Sequence, residues 1–159
     1  RDRDVTGVQT CALPIYSALG KRYIYRIWND EVRNPFQEGL ALHIRRPLDA
    51  ELLNTAAQSY IGTHDFASFC SAGSSVQDTI RRVTQCGVVR DGMLVTFLVE
   101  ADGFLYNMVR IMVGTLLEIG AGKRDCGSIP KIISAKLRSA AGMTAPACGL
   151  MLDKVFYDF

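Results

Sequence analysis

The strongest constraint on how this chain folds is the apolar stretch from Phe104 to Glu118, which reads FLYNMVRIMVGTLLE. A helix built from it is apolar on nearly every side, and such a helix is buried in a protein core. Arg110 lies at the centre of the stretch. Because arginine is almost never fully buried without a partner, the stretch predicts that Arg110 binds a carboxylate or a phosphate.

Arg110 belongs to a narrow polar stripe at helical spacing. The members of this stripe are Asn107, Arg110, Gly114 and Glu118. Glu118 is two turns from Arg110 and out of reach, and Gly114 leaves room for a backbone or a ligand to approach. Two interpretations stay open for Arg110: an ion pair within the fold, with an acid such as Asp65 or Asp102, or a functional site.

The remaining pattern predicts five strands and three helices. Strands are expected at 21–28, 39–45, 79–90, 93–101 and 150–159, and helices at 49–61, 104–119 and 128–139. Asp49 is the predicted N-cap of the first helix and Gly62 its stop. Asp91 and Gly92 predict a hairpin turn. The order indicates an α+β fold, with a mostly antiparallel sheet and helices packed on one face.

Composition excludes several classes of protein. The chain has 159 residues, 48% of them hydrophobic, and a net charge of +2, which suits one globular domain. Its five cysteines are widely spaced without a C-x-x-C, so neither a disulfide framework nor a metal site is predicted, and a reducing cytoplasm fits best. No apolar run is long enough for a membrane span, because Arg110 and Glu118 interrupt the best candidate.

The first fifteen residues form a separate unit. RDRDVTGVQTCALPI carries acidic residues and lacks the apolar core of a secretory signal. It resembles a translated sequencing-adaptor tail, so 1–15 is predicted to be a non-native leader and 16–159 the natural sequence.

Three further features offer possible contacts. Tyr23 and Tyr25 share one face of a predicted strand, where aromatic rings can stack on bases but more often fill a core. The segment 144–152, TAPACGLML, is a small-residue loop before the last strand. Basic pairs that are ordinary surface features when taken singly occur at Lys21–Arg22, Arg45–Arg46, Arg81–Arg82 and Lys123–Arg124.

Taken together, five segments resemble the tRNA pseudouridine synthase A (TruA) family. They are SALGKRYIY, PLDAELLNTAAQSYIGTHDFASF, DTIRRV, ADGFLYNMVRIMVGTLLEIGAGK and TAPACGLMLDKVFYD, in the order and at the spacings of that family. The resemblance covers the chain from Tyr16 onwards. It implies an isomerase that converts uridine to pseudouridine in the anticodon arm of tRNA, as a homodimer and without a cofactor or metal.

The resemblance also implies roles for single residues. Arg110 matches the arginine that pairs with the catalytic aspartate, Tyr23 the tyrosine that packs on the target base, and Leu150 an apolar residue of the base pocket. Met151 departs from the aromatic residue often found after that leucine. The basic residues expected to contact tRNA phosphates are Lys21, Arg22, Arg45, Arg46, Arg81 and Arg82.

The catalytic aspartate of the family lies in a G-R-T-D-A-G motif, which this sequence lacks. Asp65, Asp78 and Asp102 have the wrong context, so none is a candidate. The chain is therefore expected to be the inactive C-terminal part of the enzyme, with Arg110 unpaired, bound to water or paired with a local acid. The alternatives are an RNA-binding α+β module without catalysis and a structural domain in which Arg110 pairs internally.

Overall fold

The fold is described by a computed structural model, which covers residues 18–73 and 76–157. The predicted leader at 1–15 lies outside the described residues. The strands are β1 (Ala18–Asn29), β2 (Leu42–Ile44), β3 (Gly62–Asp65), β4 (Ile80–Asp91), β5 (Leu94–Ala101) and β6 (Leu150–Tyr157). The α-helices are α1 (Ala50–Gln58), α2 (Met108–Gly120) and α3 (Ile129–Ala135).

The six strands form one mixed sheet centred on β1. The main order is β2-β1-β5-β4-β3, and β6 also pairs with β1. Because β5 occupies one edge of β1, strands β2 and β6 share the other edge, where β2 pairs with residues 27–29 and β6 with residues 18–25. Among the pairings of the described strands, only that of β1 with β2 is parallel. The predicted α+β fold with a mostly antiparallel sheet is confirmed.

The core lies between one face of this sheet and the helices. Alternate residues of β5, namely Val95, Phe97 and Val99, are almost fully buried, and Tyr25 and Ile27 of β1 join them. These strand residues form one cluster with the buried side chains of α1, α2 and α3. Period-two burial of this kind is what a sheet shows when helices cover a single face.

Helix α1 begins as predicted and ends earlier. The Asp49 carboxylate accepts hydrogen bonds from the amides of Glu51 and Leu52, so the predicted N-cap is confirmed. The helix ends at Gln58, and Gly62, with φ +121°, is instead the first residue of β3. Strand β3, which pairs with the first four residues of β4, was not predicted because its own four residues are too few for an alternating pattern.

Helix α2 begins four residues later than predicted, at Met108. Residues 106 and 107 form a turn, closed by a hydrogen bond from the Met108 amide to the Leu105 carbonyl. Asn107, with φ 60° and ψ 11°, is left-handed and cannot continue a right-handed helix. Helix α3 is also shorter than predicted, because left-handed Lys136, with φ 50°, follows its last residue. Strand β2 shrinks to three residues.

Within 18–73 and 76–157, no helix is long and apolar enough to cross a membrane. The same residues hold no group of three or more histidine, cysteine or acidic side chains placed to bind a metal ion. Four cysteines, Cys70, Cys86, Cys126 and Cys148, are free thiols.

Candidate active site

A cleft of about 230 Å³ opens beside the start of α2. Its lining comprises Tyr23, the run from Phe104 to Arg110, and Leu150. Tyr23, Arg110 and Leu150 are far apart in the sequence, and the fold brings all three to this cleft. No aspartate or glutamate is among the described residues that line it.

The β1–β6 pairing sets the aromatic and aliphatic wall of the cleft. Leu150 pairs with Tyr25, so both side chains point to the helix-covered face, and Tyr23 lies on that face two residues earlier. The Tyr23 ring meets the ring of Phe104 edge to face, with 5.1 Å between centroids and 86° between planes. Such aromatic pairs are stable, and this one fixes the plane of Tyr23.

Arg110 is held by two neutral oxygen atoms. Its Nε donates to the carbonyl oxygen of Ala145 at 2.7 Å, and its Nη1 donates to Oδ1 of Asn107 at 3.0 Å. Among the described residues, no carboxylate forms an ion pair with Arg110, and Nη2 has no hydrogen-bond acceptor. The guanidinium therefore keeps donors free for an anion.

The alternative of an ion pair within the fold is not observed for Asp65 or Asp102, because both acids bind elsewhere. Asp65 pairs with Nζ of Lys136 at 2.9 Å, and Oδ1 of Asp102 accepts from the amide of Arg82 at 3.1 Å. The Thr79 hydroxyl, with Lys136, lowers the pKa of Asp65 from its ordinary value of 3.8. Neither carboxylate lines the cleft.

The segment 141–145 packs along the face of α2 that carries the polar stripe. The amide of Ala145 donates to the carbonyl of Arg110 at 3.0 Å, and the amide of Gly142 donates to Oγ1 of Thr115 at 2.9 Å. Glu118, one end of the stripe, accepts from the amide of Met143 at 2.9 Å. The segment thus runs antiparallel to the helix and delivers the Ala145 carbonyl to Arg110.

Glu118 is also paired with Arg124. Burial alone would raise the pKa of the Glu118 carboxyl. Hydrogen bonds from Arg124 and from the Met143 amide, together with the charges of Arg124 and Lys123, outweigh that effect and lower the pKa below its ordinary 4.5. The carboxylate is thus ionised at neutral pH and anchors the segment.

Tyr25 holds the next part of the same segment. Its hydroxyl donates to the carbonyl of Pro146 at 2.6 Å from a fully buried ring. Burial raises the pKa of Tyr25 far above 10, and the neighbouring Cys148 adds to this, whereas the charge of Arg110 opposes it. The hydroxyl therefore stays protonated and remains a donor.

Sequence reasoning placed Tyr25 on the same strand face as Tyr23 but did not foresee that it anchors the loop. Asn107 was assigned to the polar stripe, at a spacing of three residues from Arg110, yet its left-handed backbone and its hydrogen bond to Arg110 were not foreseen. Phe104 was missed as the ring that supports Tyr23, because its distance from Tyr23 along the chain hides the contact.

Three of the six arginines and lysines predicted to contact RNA already have partners within the chain. Arg22 pairs with Glu100 at 2.9 Å, Arg46 donates to the Gly120 carbonyl at 3.0 Å, and Arg81 donates to the Asp78 carbonyl at 3.0 Å. In the described part of the chain, the side chains of the other three have no hydrogen bond or ion pair and are exposed. These are Lys21, Arg45 and Arg82.

Lys21 and Arg82 lie at the cleft end of the sheet. Lys21 and Val83 both pair with Ala101, which stands three residues before Phe104 of the cleft. Arg45 follows β2 and so lies beyond Asn29, at the other end of β1. At about 3.3 Å per residue, that end is roughly 26 Å away from Lys21.

Fold and cleft together define an α+β domain with a cleft made of aromatic, aliphatic and cationic walls. Residues 56–158 match the sequence model of the tRNA pseudouridine synthase family. The chain belongs to this family.

Named relatives support the assignment. A tRNA pseudouridine synthase A of Staphylococcus aureus strain MRSA252 is 42% identical over 143 residues, covering 90% of this chain and 54% of the relative. Those of Halalkalibacterium halodurans and Acetivibrio thermocellus are 47% identical over 136 residues and 45% over 142. These two alignments cover 86% and 89% of this chain, and 52% and 58% of the respective relatives. The chain thus spans about half the length of the curated relatives it matches.

Proposed function

We propose that residues 16–159 are the C-terminal part of a tRNA pseudouridine synthase, an isomerase that converts uridine to pseudouridine in the anticodon stem-loop. The observation that carries the proposal is the meeting of Tyr23, Leu150 and Arg110 in one cleft of a chain that belongs to this family. The active enzyme is a cytoplasmic homodimer, and the reaction needs no cofactor or metal.

The reaction explains the chemistry of the cleft walls. The bond between N1 of uracil and C1′ of ribose breaks, the uracil turns, and a bond from C5 to C1′ forms. C5 loses a proton and N1 gains one, so the composition is unchanged. The base must leave its stack and be held by ring contact, which the Tyr23 ring provides with Phe104 behind it. Leu150 closes the other side and excludes water.

Arg110 binds the catalytic aspartate, which comes from outside this sequence. Its Nη2 has no acceptor among the described residues, and two hydrogen bonds fix the rest of the guanidinium. An adjacent cation lowers the pKa of a carboxyl group and so keeps the nucleophile ionised. The low dielectric of an apolar cleft strengthens the attraction between the two charges.

The phosphates of the RNA contact the cleft end of the sheet. Lys21 and Arg82 lie there, and their side chains have no hydrogen bond or ion pair among the described residues. A base inserted in the cleft brings its flanking phosphates to that end. Of the six predicted phosphate contacts, these two are favoured by both position and availability. Phosphate contacts release counterions, so binding weakens as salt rises.

The test compares this chain with a full-length protein made by joining residues 16–159 to the preceding half of the Staphylococcus aureus relative. Tritium release from tRNA labelled at C5 of uridine measures turnover. The 159-residue chain is expected to be inactive and the joined protein active. Turnover by the 159-residue chain would mean that the nucleophile lies within it and that the proposed division is wrong.

Substitutions in the joined protein test the residue roles. Arg110→Ala and Tyr23→Ala are expected to lower kcat by at least about a hundredfold, since each removes a charge or ring contact made in the reaction. Tyr23→Phe keeps the ring and is expected to keep most of the activity. Arg138→Ala is the matched control. Arg138 donates to Gly142 and Thr144 of the segment 141–145, which also contains Ala145, but it does not line the cleft. Wild-type rates for Arg110→Ala would exclude its assigned role.

An RNA-binding module without catalysis is the second candidate. It is favoured by the lack of a carboxylate among the described residues of the cleft. If this alternative holds, the joined protein binds tRNA but releases no tritium, while the unmodified relative does so under the same conditions.

A further inference from the structure

Asn107 makes none of the contacts that usually explain an asparagine before a helix. Asparagine at this position normally accepts a hydrogen bond from an amide in the first turn. The side chain of Asn107 caps no amide of α2. Its Oδ1 instead accepts from Nη1 of Arg110 at 3.0 Å, and its Nδ2 donates to Oγ of Ser71 at 3.1 Å.

The orientation of this amide is determined by its neighbours. An arginine has donors and no acceptor, so only Oδ1 can face Arg110. Nδ2 must then face Ser71, whose hydroxyl is able to accept. Ser71 is itself held in place, because its amide donates to the carbonyl of Tyr106 at 3.1 Å. The chain of contacts runs from Ser71 through Asn107 to Arg110.

We propose that Asn107 is a positioning residue, which with Ser71 holds the Arg110 guanidinium in the one orientation that leaves Nη2 free for a carboxylate. The proposal rests on the function proposed above. Two anchors, Ala145 at Nε and Asn107 at Nη1, define the plane of the guanidinium, whereas one anchor would leave it free to rotate. A preset cation needs no reorganisation when charge develops in the reaction.

A purely structural role predicts something different. Left-handed backbone favours glycine, with asparagine the best tolerated of the other residues, so Asn107 could serve the turn alone. Asn107→Gly separates the two roles because it keeps the backbone preference and removes the side chain. Lys136→Gly is the matched control, since Lys136 is the other left-handed non-glycine residue among those described and does not line the cleft.

The first experiment needs no catalysis and uses the 159-residue chain. Nuclear magnetic resonance follows solvent exchange of the Arg110 Nε proton. In Asn107→Gly this exchange is expected to be about tenfold faster, the effect of losing one hydrogen bond to a charged group. Lys136→Gly is expected to leave it unchanged. Equal exchange rates in wild type and Asn107→Gly would overturn the proposal. Should Asn107→Gly fail to fold, Ser71→Ala answers the same question.

The second experiment measures kinetics in the joined protein. Asn107→Gly is expected to lower kcat about ten- to a hundredfold while KM for tRNA stays within about threefold. The acid limb of the rate profile moves to higher pH, because a poorly placed cation no longer lowers the pKa of the aspartate. Ser71→Ala gives a smaller loss of kcat, and Ser71→Thr, which retains the hydroxyl, restores the rate.

The outcomes separate this proposal from the function on which it rests. If Arg110→Ala keeps full activity, the role proposed for Arg110 in the reaction fails, while the exchange measurement still decides whether Asn107 orients Arg110. If Arg110→Ala is inactive but Asn107→Gly keeps kcat within about twofold and an unshifted pH profile, the positioning role is wrong. If the joined protein is inactive, the exchange measurement alone decides whether Asn107 orients Arg110.

Discussion

Gly114 of α2 lies directly against the carbonyl oxygen of Met143. A Cβ atom added to Gly114 would stand 1.8 Å from that oxygen and 2.8 Å from the carbonyl carbon, far inside contact distance. Both atoms belong to the backbone of the segment 141–145 and can move only if that segment moves. The close approach allows this segment to lie along α2 and to place Ala145 against Arg110.

Gly114→Ala is therefore expected to destabilise the fold although alanine is the better helix former. The overlap costs about 1–3 kcal/mol or more, against a gain in helix propensity of about 1 kcal/mol. Thermal unfolding of the 159-residue chain measures the difference. Gly127→Ala is the control, because a Cβ there meets no atom within 4 Å outside its immediate neighbours. Equal melting temperatures for the two variants would contradict the packing argument.

Tyr25→Phe tests the hydrogen bond by which Tyr25 holds Pro146, the residue that follows the segment 141–145. The change removes the hydrogen bond to Pro146 from a ring that is otherwise fully buried and keeps its packing. We expect a loss of about 1 kcal/mol, equivalent to about 2–4 °C in Tm for a chain of this size. Hydrogen exchange of the Ala145 amide should also become faster. Tyr106→Phe is the control, because Tyr106 is exposed and its hydroxyl has no hydrogen bond among the described residues.

The sequence pattern predicted correctly those parts of the fold that depend on residues close together in the chain. The Asp49 cap and the hairpin through Asp91 and Gly92 are confirmed because each depends on residues that are close in sequence. The start of α2 was misplaced because the apolar residues from Phe104 onwards have helical spacing, and spacing does not reveal the left-handed backbone of Asn107. Period alone cannot distinguish a tight apolar turn from a first helical turn.

The contacts of the candidate site were less accessible to sequence reasoning. Arg110 and Tyr23 stood out from the residue pattern, whereas their roles and the choice of Leu150 came from the resemblance. The fold brings the three together. The acceptor of Arg110 Nε is a backbone carbonyl 35 residues away, at Ala145. Every residue carries such a carbonyl, so no side-chain pattern marks this one.

Stability at low pH should depend on Glu118. The lowered pKa means that the folded protein favours the carboxylate, so its contribution is present above the ordinary value of 4.5 and is lost as pH falls through the folded-state value. Glu118→Gln should therefore lower Tm at neutral pH, and the difference from wild type should shrink as pH falls below about 4.5.

Thermal unfolding across a pH series checks this expectation. Glu31→Gln is the control, because the exposed Glu31 carboxylate has no ion pair or hydrogen bond among the described residues, and its curve should follow that of wild type. A Glu118→Gln curve parallel to wild type at every pH would show that the pair with Arg124 contributes nothing through ionisation.

The salt dependence of RNA binding should report which end of the sheet meets the phosphates. Lys21→Ala with Arg82→Ala is expected to reduce the slope of log affinity against log salt by about 1.4–1.8, since each phosphate contact contributes about 0.7–0.9. Lys123→Ala with Lys131→Ala removes the same charge elsewhere. Lys123 lies past the far end of α2, roughly 20 Å from the cleft at about 1.5 Å per residue, so this pair should change the slope little. Filter binding of the joined protein to an anticodon stem-loop gives both slopes. Equal changes would mean that RNA is attracted by net charge alone and not by the cleft end of the sheet.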